Sequence, residues 1–226
     1  MTFGFDALPS EKACCFSRVW ENRNVSIGAM LYVYGSSPHP KSICPDGQTQ
    51  TLYQIRNVLI ERLDELASGI GGTDILYVST MLKDILADAN VKIREIRSFL
   101  GQGIYLGGTV IYVSGRAYAA LSFGGSSVYH CSGLTLERLT PVPGDFLIRN
   151  ALGGSSVWKP DVVLGDLPDG SFGLVAVSCS QINEANCLRY MAETSGGTIA
   201  HTPAILIRHE AEPVTGPPSA VLVYLP

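Results

Sequence analysis

The sequence predicts an α+β fold, a four-layer αββα sandwich in which two antiparallel sheets are flanked by helices. Apolar residues recur at three- and four-residue spacing over two long segments before residue 101. After that residue, short β-rich runs alternate with Ser-Gly and Gly-Gly turns. With 226 residues, 46% of them hydrophobic and 16% charged, the chain can bury one sizeable core. We therefore expect residues 1–226 to form a single domain.

The first predicted elements are a buried strand and two amphipathic helices. Residues 25–34 are largely apolar and run into Gly35-Ser36-Ser37-Pro38, which is typical of a strand that ends in a loop. The first helix covers 51–66 and the second roughly 73–100, and Gly101 is placed to cap the second. Their apolar faces are built from Leu52, Ile55, Val58, Leu59, Leu63 and Leu66, and from Leu82, Ile85, Leu86, Ala89, Ile93, Ile96 and Leu100.

The remaining elements are mostly strands. Four β-rich runs at residues 109–114, 116–123, 126–131 and 134–139 predict an antiparallel meander. Further strands are predicted at 161–164, 172–178 and 220–225, with a helix at 183–194.

Charge and composition exclude several classes of protein. The net charge is −4 with no run of like charges, so no electrostatic footprint for nucleic acid or an anionic membrane is present. No window approaches the ~20 apolar residues of a membrane span, and the start does not resemble a signal peptide. The six cysteines contain no CxxC spacing, which favours reduced thiols. We expect a cytoplasmic protein that binds neither nucleic acid nor membrane.

Short motifs in the first half carry a family resemblance. RVWENR at residues 18–23 is followed by YGSSPH at 34–39, then by Ala89-Asn90 and by Gly-Gly-Thr at 107–109. GRAYAALSFGGSSVY then occupies residues 115–129. In order and spacing these resemble the R-x-x-N-E-D, D-G-M-G-G-H, A-N, G-T-T and G-R-L-Y-V-A-N-V-G-D-S-R-V-Y motifs of bacterial type-2C (metal-dependent) serine/threonine protein phosphatases.

The second half continues the same resemblance. LIRNALGG at 147–154 is similar to the family's I-T-R-A-L-G-G, and PDVVLGDLPDGSFGLVAVSCS follows at 160–180 where the family strand ends in L-L-C-S-D-G. Residues 217–223 correspond to the closing D-N-x-T-V-L-V strand. The resemblance covers about residues 15–226 and implies the αββα fold of that family.

The matching positions differ from the family in the residues that hold metal. The family's reaction uses two divalent cations bridged by carboxylates, which activate a shared water. The five matching positions carry Arg23, Tyr34, Gly125, Cys179 and Pro217, none of which supplies a carboxylate. The resemblance therefore implies a catalytically inactive pseudophosphatase that needs no metal or other cofactor. Its implied role is to bind a protein partner, such as a kinase, a phosphoprotein or a larger complex.

A guanidinium at a vacated metal site suggests an anion pocket. Arg18 matches the family arginine that contacts the substrate phosphate, and a guanidinium can hold a phosphate through two parallel hydrogen bonds. Our hypothesis is that Arg18, Arg23 and His39 form this pocket, with Tyr34 and Cys179 lining the former active site. In the alternative, Arg23 pairs with a nearby acid such as Glu21 and closes the cavity.

Other activities find weaker support in the sequence. A hydrolase with a rearranged site could use Asp166 or Asp169, but both precede a predicted strand and so lie at the wrong end of it. His130 and Cys131 could in principle furnish a Cys-His nucleophile pair or part of a zinc site, but as neighbours in a predicted strand their side chains point to opposite faces and cannot pair with each other. We expect ordinary packing for Cys131 and a surface or hydrogen-bonded position for His130. A structural subunit of an assembly is the third possibility.

Overall fold

Two five-stranded antiparallel sheets form the centre of the fold. The computed structural model describes residues 2–7, 15–22, 25–35, 49–70, 74–100, 103–133, 135–142, 150–178, 181–194, 203–208 and 219–226. The first sheet contains, in hydrogen-bonded order, β2 (Cys15–Asn22), β3 (Val25–Gly35), β4 (Ile104–Ser114), β5 (Ala117–Phe123) and β8 (Asp161–Asp166). The second contains β1 (Thr2–Ala7), β12 (Ala220–Leu225), β9 (Ser171–Val177), β6 (Ser127–Ser132) and β7 (Thr135–Arg138). A short pair joins β10 (Gln181–Ile182) to β11 (Ile207–Arg208).

Helices cover the outer faces of both sheets. The first sheet packs against α1 (Thr49–Gly69) and α2 (Ile75–Leu100). The second packs against α3 (Glu184–Thr194) and a 3₁₀ turn at Pro203–Leu206. The predicted four-layer αββα sandwich is therefore confirmed, and the predicted helices at 51–66, 73–100 and 183–194 correspond to α1, α2 and α3. The predicted cap Gly101 lies outside the described residues.

The alternation along β3 explains why its sequence is apolar almost throughout. Ala29, Leu31 and Val33 pack toward the helices, whereas Met30 and Tyr32 pack toward the second sheet. Both faces of this central strand are thus removed from water, as the continuous apolar run indicates. On the helix side the strand meets the apolar stripes of α1 and α2, which include Leu59, Leu63, Leu82, Leu86 and Ile93.

The predicted meander is divided between the two sheets, so the prediction of one continuous meander is wrong. β4 pairs with β5 in the first sheet, but β6 pairs with β7 and β9 in the second. Between β5 and β6 the chain crosses over at Gly124 and Gly125, which have φ angles of 67° and 84°. Alternation in a sequence shows that a strand forms but does not show which sheet accepts it.

Four strands were not predicted, namely β1, β2, β10 and β11. β2 lies within the segment that was interpreted as a motif, and the Gly-Gly-Thr of residues 107–109, interpreted as a turn, lies inside β4. Among the described helices, none is both long and apolar enough to cross a membrane.

Candidate functional site

Six ends of described strands, three from each sheet, meet at one end of the sandwich. Tyr34, near the end of β3, pairs with Tyr105 at the start of β4, and β4 pairs with β5 so that the Gly124–Gly125 crossover follows directly. In the second sheet, the backbone N–H of Ser178 donates to the carbonyl of Ala220 at 2.9 Å. Ser127 pairs with Val177, which brings the start of β6 beside the end of β9. We call this region the crossover end.

The crossover end gathers positions that the sequence resemblance had matched to metal ligands. Tyr34 and Gly125 lie there, and Ser178 immediately precedes Cys179. β12 begins there with Ala220, a few residues after Pro217. Cys179, Pro217 and the side chain of Tyr34 lie outside the described residues.

Tyr32 fills the space between the sheets at the crossover end. Its side chain is fully buried, and its hydroxyl donates a hydrogen bond of 2.7 Å to the carbonyl of Gly124. The ring lies across β4 at Gly107, where a Cβ atom would be only 2.3 Å from Cε2 of Tyr32. Glycine at 107 is therefore what allows the tyrosine to reach the crossover. Sequence reasoning missed this contact, although a glycine pair inside an apolar run is a signal of close approach.

Buried hydroxyl groups hold the crossover together. The hydroxyl of Thr109 donates to Ser126 Oγ at 2.9 Å, and Ser126 Oγ lies 2.5 Å from the carbonyl of Gly108. Ser122 Oγ lies 2.6 Å from the Ser126 carbonyl and 2.6 Å from its Oγ. All three hydroxyl side chains are at most 4% exposed. Their hydrogen-bonding capacity is used within the fold, as buried polar groups require.

Gly125 has a backbone conformation that disfavours any side chain. Its φ of 84° lies in the left-handed region, which costs an L-residue roughly 1–2 kcal/mol. The sequence resemblance matches this position to a metal-binding aspartate of the phosphatases. In this chain the crossover at position 125 is a turn that favours glycine.

The described donors do not fit a pair of divalent cations. Mn²⁺ and Mg²⁺ prefer carboxylate and other oxygen ligands. Within the described ranges, no three side chains of His, Cys, Asp or Glu come close enough together to hold a metal ion. Asp6 is a buried carboxylate near this end, but it alternates with Phe5 and Ala7, which pack between the sheets, so it faces the α3 layer.

The strand register does not bring Arg18 together with Tyr34. Arg18 pairs with Ala29, five residues from Tyr34 along β3, a separation of about 17 Å at ~3.3 Å per residue. Asn22, which precedes Arg23, pairs with Val25 at the opposite end of β3. The predicted association of Arg18 with the former metal site is therefore wrong.

The reason for this correction is the hairpin geometry. β2 ends at Asn22 and β3 begins at Val25, so a motif at residues 18–23 runs away from the end of β3. Because Cys15 pairs with Tyr32, the residues that would extend β2 toward Tyr34 are 8–14, which lie outside the described part, as do Arg23 and His39. The match of R-x-x-N-E-D to residues 18–23 rested on residue types and their spacing, and the pairing register of β2 with β3 was not known from the sequence.

Arg18 contacts α1 instead. Its guanidinium lies 3.5 Å from Asp64 Oδ1, and the two side chains are about half exposed, at 54% and 42%. The indole Nε1 of Trp20 donates to the same carboxylate oxygen, and the guanidinium lies 5.9 Å from the Trp20 ring centroid. Asp64 therefore ties β2 to α1.

The remaining candidate groups are structural. His130 Nε2 shares a 2.8 Å hydrogen bond with Ser171, and burial lowers the pKa of this imidazole. Cys131 is fully buried on the other face, and burial raises the pKa of its thiol to about 11, so the predicted packing role is confirmed. Asp169 forms an ion pair with Arg116 at 2.5 Å.

Asp166 lies at the wrong end of the sheet for the former site, as predicted. It ends β8 and pairs with Ala117 at the start of β5, whereas the crossover follows the end of β5.

Solved structures of bacterial serine/threonine phosphatases of type 2C have the same fold. A bacterial serine phosphatase carrying a point substitution matches with a TM-score of 0.72 and 11% identity over 100% of this chain and 97% of that one. Phosphatase Stp1 from Staphylococcus aureus matches with a TM-score of 0.62 and 10% identity, over 100% and 94%. The catalytic domain of phosphatase PstP, solved with two manganese ions, matches at 0.57 and 13%, over 98% and 96%.

Unlike the structural comparison, the sequence comparisons found no match. No family model matches the chain, and no curated protein matches it. At 10–13% identity, the structural matches establish the fold.

Proposed function

We propose that this chain is a catalytically inactive phosphatase-like domain, a pseudophosphatase, that acts by binding a protein partner such as a kinase, a phosphoprotein or a larger complex. The observation that supports it most directly is the crossover. Gly125 takes the place of an aspartate in a left-handed turn, and Tyr32 donates its hydroxyl proton to the neighbouring Gly124 carbonyl. A residue with a carboxylate at position 125 would have to adopt this left-handed conformation or change the turn.

The hydroxyl groups at the crossover do not replace the lost chemistry. A serine or threonine nucleophile needs a base within about 2.6–3.2 Å. Ser122, Ser126 and Thr109 instead bond to one another and to backbone carbonyls. The main described histidine candidate, His130, is bonded to Ser171. These contacts favour binding over hydrolysis for this end of the molecule.

Loss of catalysis is tested with an aryl phosphate. We expect the purified chain to hydrolyse p-nitrophenyl phosphate no faster with Mn²⁺ than without it, and to show no saturable Mn²⁺ binding by calorimetry. The reason is the absence of a carboxylate at Tyr34, Gly125, Cys179 and Pro217, the matching positions that remain once the strand register removes the 18–23 motif from this end.

The rival hypothesis, an active phosphatase with a rearranged site, makes the opposite prediction. Turnover that requires Mn²⁺ and is abolished by Cys179→Ser would establish it. Glu95→Gln, on the exposed face of α2, is the matched control that should change nothing in either case.

Recognition of a phosphorylated partner is a separate part of the proposal. We propose that a phosphate would be recognised by Tyr34, His39 and Cys179 without Arg18, which pairs with Ala29 five residues from Tyr34 along β3. We expect a phosphoserine peptide to bind more tightly than its unphosphorylated form, and His39→Ala to reduce that difference. Arg18→Ala is the matched control and should leave it unchanged. Equal affinity for the two peptides in fluorescence anisotropy would remove phosphate recognition from the proposed function.

A further inference from the structure

A cleft lies at the end of the first sheet opposite the crossover. Its floor is formed by Val25 and Ile27 of β3, and one wall by Trp20 of β2. Ala67 and Ser68, in the last turn of α1, form the other wall. The floor residues are buried members of the helix-facing core, so the cleft opens directly onto apolar surface.

The cleft is large enough to accept an apolar side chain of a partner. Its volume is about 280 Å³. Small-molecule and cofactor pockets usually measure about 300–1,000 Å³, and this cleft lies just below that range. One large apolar side chain, held by the Trp20 wall, is an occupant of suitable size.

The tryptophan wall is fixed before any ligand arrives. Trp20 Nε1 donates to Asp64 of α1. Arg18, two residues before Trp20 on the same strand, approaches the same carboxylate. Both ends of this contact belong to regular elements, β2 and α1. A fixed wall lowers the entropy cost of binding.

The cleft adjoins an open sheet edge. β2 is the terminal strand of the first sheet, and among the described residues no strand is hydrogen-bonded to its outer side. An extended peptide can add to such an edge, with backbone hydrogen bonds giving affinity and pockets for alternate side chains giving specificity. A residue placed beside Trp20 on such a peptide would lie at the mouth of the cleft.

The charge at the mouth selects the kind of peptide. Among the described residues that line the cleft, Glu21 is the one with a charged side chain, and it is exposed. Glu61 and Glu65 of α1 are also exposed and share a helical stripe with Ser68 at four- and three-residue spacing. Glu65 forms an ion pair with Arg62 at 2.9 Å, and Asp64 lies 3.5 Å from Arg18. These described side chains around the cleft are therefore four carboxylates, Glu21, Glu61, Asp64 and Glu65, against two guanidinium groups.

From these features we propose that the cleft and the β2 edge bind an extended, basic segment of a partner protein, which inserts one apolar side chain against Trp20. The inference rests on the proposed function only in supposing a protein partner. It concerns the end of the sheet away from the crossover, so its failure would leave the phosphate and Mn²⁺ assays unchanged.

The test measures peptide binding by the fluorescence of Trp20. The chain has two tryptophans, so Trp158→Phe leaves Trp20 alone. The probe is a nine-residue peptide of alternating threonine and lysine with one central leucine. We expect a saturable change in Trp20 fluorescence, and at least tenfold weaker binding when the central leucine is replaced by serine or the lysines by glutamate. Should Trp158→Phe fail to fold, calorimetry on the unchanged chain gives the same comparison.

Two substitutions locate the binding on the protein. Ala67→Phe fills the cleft and Glu21→Lys reverses its charge, and each should weaken the leucine peptide at least tenfold. Glu95→Lys makes the same charge change on exposed α2 and should have no such effect. Circular dichroism verifies that each variant is folded.

Four outcomes would overturn the proposal. These are equal affinity for the leucine and serine peptides, equal weakening by Glu95→Lys and Glu21→Lys, no effect of Ala67→Phe, and an edge-to-edge dimer that excludes the peptide. The first three would leave only non-specific charge attraction, and the last would assign the edge to a second copy of this chain.

Discussion

At the scale of single residues, Tyr32 makes the contact that links β3 to the crossover. From the sequence alone, position 32 is predicted to be one more apolar residue of a buried strand. In the fold, its hydroxyl is the group that reaches the crossover and holds the Gly124 carbonyl at 2.7 Å. A side chain between the sheets thus takes part in shaping the end that holds Tyr34 and Gly125, two positions that the sequence resemblance matches to metal ligands.

Removing that hydroxyl should destabilise the protein. Tyr32→Phe keeps the ring but deletes the donor to Gly124, and one buried hydrogen bond contributes about 0.5–1.5 kcal/mol to the free energy of unfolding. Urea denaturation measures the change. Tyr77→Phe is the matched control, because Tyr77 is 58% exposed on α2 and its hydroxyl should matter little. Equal midpoints for the two variants would show that the contact carries no stability.

At the scale of elements, β3 and β4 depend on each other through one close approach. Gly107 of β4 lies under the Tyr32 ring, and its glycine leaves the space that the ring occupies. The strands can therefore keep full pairing from Val25↔Ser114 to Gly35↔Ile104 while a bulky side chain crosses between them.

A methyl group at this point should disturb the pair. Gly107→Ala places Cβ 2.3 Å from the Tyr32 ring, and overpacking of this kind costs typically 1–3 kcal/mol. Thermal unfolding measures the loss. Gly69→Ala, at the end of α1 with no atom within 4 Å of the added Cβ, is the control and should be close to neutral.

A double substitution tests the cause of that loss. In a Tyr32→Ala background the alanine at 107 has no ring to meet, so its cost should fall. An undiminished cost would point to the strand backbone rather than to Tyr32.

The periodicity of apolar residues predicted those elements whose pattern depends only on residues close together in the chain. The apolar stripes predicted α1 and α2 because neighbours three and four residues apart share a face wherever the helix lies. β1 and β2 were missed. β2 alternates Phe16, Arg18 and Trp20 on the face toward α1, but its polar members obscured the strand.

At the scale of the whole molecule, the two sheets and their helices form three hydrophobic clusters, one between each pair of adjacent layers. One cluster lies between α1, α2 and the first sheet, the second between the sheets, and the third between the second sheet and α3. The middle cluster contains residues of both sheets, including Met30 and Leu222. This shared layer is the physical basis for expecting the chain to unfold as one unit.

Cooperative unfolding can be measured with one reporter for each sheet. Tryptophan fluorescence reports the first sheet, where Trp20 and Trp158 pack. Thiol labelling reports the second in a variant that keeps Cys187 and has the other five cysteines replaced by serine or alanine, because burial raises the pKa of Cys187 to about 12 and keeps it unreactive until α3 detaches. We expect the two urea transitions to coincide, as two-state unfolding requires. A thiol transition at lower urea would instead show that the second sheet and α3 unfold first.

The sequence by itself determined the three α-helices, most of the strands and the order of the motifs. The apolar faces of the helices and the apolar strands follow from residue types and their spacing along the chain, because local backbone geometry decides which neighbours share a face. The order of the motifs is likewise given by the sequence, which contains in succession Tyr34, Gly125, Cys179 and Pro217. These were enough to predict the αββα fold that the structural matches show.

The tertiary structure decided which residues meet. Hydrogen-bond register between distant strands placed Arg18 beside α1 instead of Tyr34, and the crossover at Gly124 divided an apparent meander between two sheets. The contact of Tyr32 with Gly124 joins residues 92 positions apart, across a glycine in the strand between them. Such contacts depend on pairings between segments that are remote in the chain, and no local pattern of residues encodes them.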